Sequence, residues 1–172
     1  PRARPLRRPR AALQPLPART LVSAGTTLTV DLREYFSLPG VTGQVVQYDT
    51  VLGKFNVELL ANAAPQHVAN FLKYVAAGSY STSFFHRSAA VDSSGSIGIL
   101  QGGGYTWTGS TASTITKFSP VPLEYNLPNT RGTVAAARTS DVNSATSEWY
   151  FNIRDNSTNL GTANGGGYTV FG

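Results

Sequence analysis

The chain contains no cysteine, which excludes disulfides, thiolate nucleophiles and cysteine-based metal sites together. Histidine is scarce as well: with only His67 and His86, a metal site would have to draw most of its ligands from carboxylates. Those are also few, nine in 172 residues, and Glu124, Asp141, Glu148 and Asp155 fall in separate segments, so no paired-carboxylate site for glycoside or acyl chemistry can be built from spacing. No metal and no cofactor is expected. No apolar run approaches the roughly 18 to 20 residues of a spanning helix, and no membrane partner is expected. A G-x-S-x-G elbow is missing. Gln101-Gly102-Gly103-Gly104 lacks the Lys-Ser/Thr of a phosphate loop and no helix pattern follows it. Its glycines, like those of Asn164-Gly165-Gly166-Gly167, read as sharp turns. Asn156-Ser157-Thr158 has the form of a glycosylation acceptor, a pattern too common by chance to carry weight.

What is present describes one folded domain with a tail. Apolar residues make up 41% of the chain and charged residues 13%, a globular balance. The net charge of +5 is a local property. Arg2, Arg4, Arg7, Arg8, Arg10 and Arg19 precede any acid, and the remainder carries eight basic against nine acidic residues, a net charge of −1. The first twenty residues also hold five of the ten prolines, which deny helix hydrogen bonds. Residues 1–20 therefore read as a basic, disordered tail or linker. A degraded export signal ending near Val22-Ser23-Ala24 is the second reading. A nucleic-acid arm is the third, and with no aromatic residue for base stacking no nucleic-acid partner is expected. Export to the periplasm or beyond follows from the second reading, with a cytoplasmic location as the alternative.

Residues 21–43 form an extension in which Leu28, Val30 and Leu32 alternate as in a short strand, ending at a Leu38-Pro39-Gly40 turn. Gln44 to Thr50 and Lys54 to Leu60 then read as a hairpin joined at Val51-Leu52-Gly53. Asn62-Ala63-Ala64-Pro65 opens one helix, with Val68, Phe71, Leu72 and Val75 as its apolar stripe and Gly78 as its stop. Short strand-like runs follow at Ser83–Arg87, Ile97–Gln101, Val121–Tyr125, Gly132–Arg138, Glu148–Ile153 and Tyr168–Phe171, with polar loops at Val91–Ser96 and Thr106–Thr116. One helix among many short strands argues a mostly antiparallel β fold, sandwich or barrel.

Phe84-Phe85-His86-Arg87 sets an arginine at the end of an aromatic strand. Strand alternation directs Phe85 and Arg87 to one face and Phe84 and His86 to the other. A lone arginine is most often a surface cation, and His86 reads as a core or supporting histidine.

The series AAPQHVANFLKYVAAGSY, FFHR, LQGGGY, NTRGTVAAARTSDVNSATSEWYFNI and YTVFG, in that order, resembles the cyclophilin family of peptidyl-prolyl isomerases, above all its bacterial branch, over residues 44–172. The resemblance implies a closed eight-stranded antiparallel β-barrel with capping helices and a groove for an Xaa-Pro segment of a client chain. It implies that Arg87 is the catalytic arginine and that Gln101 orients the bound backbone. Gly98, Ile99, Tyr150 and Leu160 take positions of the proline pocket, Ala137 and Arg138 lie on the strand that pairs with substrate, and Tyr168 stands where other members carry His or Tyr. Neither metal nor cofactor is implied.

The chain departs from the family at several points. The stretch AAVDSSGSIGIL between Arg87 and Gln101 is longer and more polar, and it puts glycine at position 98 where the family has a pocket phenylalanine. That removes part of the pocket floor unless Ile97 or the insert refills it. Glu148 replaces a glutamine and could pair with Arg87. Thr158–Gly167 lacks an aromatic wall, for which Asn159 is no substitute. On the family's pattern the chain stops at Tyr168–Gly172, ahead of a second capping helix and closing strand, so an open edge and poor stability are expected. The expected function is prolyl isomerisation by a monomer acting on unfolded clients. A module that binds Pro-containing peptides without turnover is the alternative, and an unrelated extracellular β-domain is a distant third.

Overall fold

The computed structural model describes residues 40–163 and 165–172. The basic tail, the strand expected at Leu28, Val30 and Leu32, and Asn164 lie outside the described residues. The first elements are β1 (Gln44–Thr50) and β2 (Gly53–Leu59), antiparallel with Tyr48 opposite Phe55. Gly53, at φ 127°, holds a backbone conformation that L side chains rarely adopt, and so fixes the turn. The Tyr48 and Phe55 rings stack at 4.9 Å.

Helix α1 (Pro65–Ala76) starts with proline in its first turn and has no side-chain cap from its own N-cap, Ala64. The cap comes from far along the chain. Glu124 accepts from the Gln66 backbone N–H at 3.1 Å, from that of His67 at 3.0 Å, and from His67 Nδ1 at 2.8 Å, placing a carboxylate at the positive end of the helix. The buried stripe is rotated from the expected one. Val68 and Phe71 are buried, but Val75 is 42% exposed and Leu72 only half-buried, while His67 and Tyr74 take inner positions. Polar side chains enter a core when their tips are satisfied. His67 has Glu124, and the Tyr74 hydroxyl accepts from the Phe118 N–H at 2.7 Å.

The remaining strands are β3 (Arg87–Ala89), β4 (Ile99–Gly102), β5 (Tyr105–Trp107), β6 (Ala112–Thr114), β7 (Val134–Ala136) and β8 (Trp149–Asn152). A four-stranded antiparallel sheet has the order β3-β4-β8-β7, and β5-β6 is a separate hairpin. That hairpin lies where the sequence reads as loop, in Thr106–Thr116. Its turn is closed by Thr108, whose hydroxyl bonds the Thr111 carbonyl at 3.0 Å, with Gly109 at φ 95°. The strands expected at Val121–Tyr125 and Tyr168–Phe171 are reduced to single bridges, Val121 to Ala145 and Val170 to Ala135. The second bridge joins the sheets. The Leu60 N–H donates to Phe171 O at 2.8 Å, and the Val134 N–H donates to Gly172 O at 2.8 Å, so the last residues stitch the β1-β2 hairpin to β7. Residues Gly40–Gly172 form one compact unit, mostly β with α1 as the one α-helix among the described residues.

Its apolar interior falls into two clusters on opposite faces of the four-stranded sheet. Val134, Ala136 and Trp149 pack with Leu59, Val68, Phe71 and Phe171. Ile99, Ala135, Tyr150 and Val170 form the other.

Candidate active site

Cross-strand register decides which side chains meet. Arg87 lies opposite Gln101, Gln101 opposite Tyr150, and Tyr150 opposite Ala135, and directly paired residues share a face. One row across four strands thus collects Arg87, Gln101 and Tyr150, with Ala89 and Ile99 two residues along on the same face. The expected company of Phe85 and Arg87 does not hold. Phe85 packs edge-on against Trp149 at 5.6 Å, on the opposite face. The regular strand begins only at Arg87, so alternation does not extend back through Phe84-Phe85-His86.

Arg87 is exposed, and its Nη1 donates to Gln101 Oε1 at 2.9 Å. Gln101, 8% exposed, in turn donates from Nε2 to Glu148 Oε2 at 2.8 Å. The direct pair of Glu148 with Arg87 that the sequence suggests is therefore not formed. The carboxylate is one residue removed, joined through Gln101, and lies 3.5 Å from His86 Nε2 and 3.8 Å from Lys117 Nζ. His86 also sets its ring against Tyr105 at 5.0 Å.

The pocket floor is altered differently from expectation. Gly98 leaves no hollow: a Cβ there would lie 2.8 Å from Asn156 Oδ1 and 2.9 Å from Val91 Cγ2. Val91, from the insert, supplies the refill, whereas Ile97 is 52% exposed. The insert is pinned in place. Asp92 accepts from the Ser94 N–H at 3.0 Å and its hydroxyl at 2.6 Å, and forms an ion pair with Arg154. These hydrogen bonds first, then Arg154, hold its carboxyl below the usual range. Asn159 Nδ2 reaches Asp92 at 3.5 Å, so it helps fasten the insert.

Ile99 and Tyr150 are buried, and Ala137, Leu160, Tyr168 and Val91 pack around them, partly exposed. The Tyr150 hydroxyl donates to Asn129 Oδ1 at 2.8 Å, and burial pushes its pKa up. The Ala137 N–H is taken by Glu148 O at 2.9 Å. Arg138 turns onto the glycine segment, donating to Gly165 O at 2.8 Å and to Gly167 O at 2.7 and 3.0 Å, with its guanidinium 4.3 Å from the Tyr168 ring centre.

Three asparagines beneath the row escaped sequence reasoning. Asn129 Oδ1 also accepts from Asn152 Nδ2 at 3.1 Å, and Asn156 Nδ2 donates to Asn152 Oδ1 and to Gly98 O, each at 2.8 Å. All three are buried, which also removes Asn156 as a glycan acceptor in the folded chain. The one available signal was Asn152 interrupting an apolar strand two residues after Tyr150.

A cavity of about 470 Å³ lies elsewhere, lined by Val46, Tyr48, Phe71, Val75, Phe85 and Trp149. Gln47, Asp49, Thr50, Ser81 and Ser83 also line it, and the lining includes no Arg, Lys or His.

Comparison with known proteins decides the family. The family model described as cyclophilin type peptidyl-prolyl cis-trans isomerase/CLD matches residues 45–172. This chain is a cyclophilin. It is 39% identical over 132 residues to peptidyl-prolyl cis-trans isomerase cyp18 of Streptomyces antibioticus, covering 74% of each chain. It is 36% identical over 132 residues to peptidyl-prolyl cis-trans isomerase B of Escherichia coli K12, covering 74% of this chain and 75% of that one. Among solved structures, a cyclophilin-type isomerase of Cryptosporidium parvum, crystallised in the presence of the dipeptide Ala-Pro, matches with a TM-score of 0.55 at 24% identity, covering 74% of this chain and 76% of that one. That likeness bears on the fold, and it agrees with the mostly-β cyclophilin architecture described above.

Proposed function

We propose that this cyclophilin isomerises Xaa-Pro peptide bonds of client chains at the Arg87–Gln101 row, with Arg87 as the catalytic residue. Amide resonance opposes the rotation with a barrier of about 18–20 kcal/mol. As the bond twists, the prolyl nitrogen becomes pyramidal and gains a lone pair. A donor aimed at that nitrogen stabilises the twisted state and not the planar one, and this difference is what lowers the barrier. A guanidinium stays charged at working pH and holds its donors in a plane.

The observation that carries the proposal is the state of Arg87. It is exposed, and among the described residues its one side-chain hydrogen bond goes to Gln101, so the guanidinium is anchored while other donors remain for a ligand. The Ala89, Val91, Leu160 and Tyr168 side chains, partly exposed and packed around buried Ile99, supply apolar surface for the proline ring. The refilled floor at Gly98 removes one reason to read the chain as a binding module without turnover.

The test is the isomerisation rate of a Pro-containing peptide with the wild-type chain and with Arg87→Ala. Loss of a charge-stabilising donor of this type lowers turnover about 10²- to 10³-fold. Equal rates would remove Arg87 from the mechanism.

A further inference from the structure

We propose that Glu148 is a positioning residue for Arg87, acting through the side-chain amide of Gln101. This inference rests on the isomerase reading of the same row and adds a part to it. An ionised carboxylate only accepts hydrogen bonds, and a guanidinium only donates. An amide lying between them has one satisfactory orientation. Nε2 must face Glu148 and Oε1 must face Arg87, which is the arrangement found, at 2.8 and 2.9 Å.

Each bond in such a chain polarises the next. The carboxylate draws on the amide N–H, the amide oxygen becomes a better acceptor, and the guanidinium is held more firmly over the substrate face. A neutral glutamine at 148 could offer Gln101 either an acceptor or a donor, so it would leave the Gln101 amide free to turn over and present N–H groups to the guanidinium.

Two further features hold the carboxylate where it is. His86 Nε2 and Lys117 Nζ flank it at 3.5 and 3.8 Å. Gly104 leaves the space for it, since a Cβ there would come within 2.9 Å of His86 Cε1 and 3.2 Å of Glu148 Cδ. Gly104 is not at positive φ among the described glycines, so room, and not backbone conformation, is what a side chain at this position would take away.

The experiment compares wild type, Glu148→Ala, Glu148→Gln and Arg87→Ala, together with the Arg87→Ala, Glu148→Ala double variant, in the full chain with a Pro-containing peptide. Glu148→Ala is expected to lower kcat on the order of tenfold, the scale of one charge-assisted hydrogen bond. KM should stay within about twofold, because the loss falls on the transition state. Glu148→Gln should recover part of it. In the Arg87→Ala background, Glu148→Ala should have no further effect, and an undiminished effect there would overturn the proposal. Side-chain NMR provides a readout independent of turnover. Glu148→Ala should shift the Gln101 amide signals and also the Arg87 guanidinium signals, although Glu148 makes no direct bond to Arg87. An Arg87 signal indifferent to Glu148→Ala overturns the proposal even if the chain proved inactive. Inactive wild type with a coupled Arg87 signal would instead overturn the isomerase reading and leave the relay standing.

Discussion

Among the described residues two histidine–glutamate pairs occur, and their surroundings differ. His67 Nδ1 lies 2.8 Å from Glu124, with 3% and 10% of their side chains exposed, and His86 Nε2 lies 3.5 Å from Glu148, with 13% and 27% exposed. Glu124 spends its oxygens on the first turn of α1 and on His67. Glu148 gives an oxygen to Gln101, and through it reaches the exposed guanidinium. The residue types are the same, so depth and the remaining partners set the role. The buried pair closes a helix end, and the more open one adjoins Gln101 and, through it, the guanidinium that we propose is catalytic.

The sharpest way to break this contrast is Glu124→Ala. It strands two backbone donors and a buried imidazole, and it should cost about 2–3 kcal/mol in denaturant unfolding, with activity per folded molecule unchanged. If it removes activity at constant stability, the two pairs do not differ as described.

Next in size is acid dependence. Burial, opposed by Glu124, holds the His67 pKa below the ordinary histidine value of about 6.5. Burial would raise the Glu124 pKa, but hydrogen bonds from His67 and Gln66 outweigh it, leaving it below 4.5. Both groups bind protons more readily in the unfolded chain. Their contributions are therefore present above the ordinary, unfolded-chain values and lost as pH falls through the folded ones. Melting temperature should decline in two stages, first below about pH 6.5 and then below about 4.5. His67→Gln should abolish the first stage and keep the second. A single stage in wild type would contradict a neutral, buried His67.

The smallest expected effect is on the other pair. Glu148→Gln should change stability by no more than about 0.5 kcal/mol, as for a partly exposed polar site, while its kinetic effect is visible. A large drop in melting temperature would make Glu148 a structural residue like Glu124.

Much of the frame was legible. The β1-β2 hairpin and α1 come from periodicity and Gly/Pro punctuation, and Arg87 and Gln101 from the ordered motif series. What was not legible depends on partners distant in sequence. The rotated stripe of α1 could not be read because His67 and Tyr74 become core residues only once Glu124 and Phe118 meet their polar tips. Glu148 looked like a partner for Arg87, since sequence does not reveal that Gln101 stands between them. The β5-β6 hairpin hid in a threonine-rich stretch that reads as loop, although Gly109-Ser110 between the backbone-paired Thr108 and Thr111 is a two-residue hairpin turn.

Gly98 and Val91 have a consequence for anyone who would exchange parts between cyclophilins. The methyl of Val91 and the amide of Asn156 occupy the volume that any side chain at 98 would claim. The insert and the glycine are therefore one transferable cassette. Putting phenylalanine at 98 while keeping the insert drives a ring into both neighbours. Deleting the insert while keeping glycine strips the cover from Ile99 and Tyr150. Only the paired exchange preserves the packing around Ile99 and Tyr150.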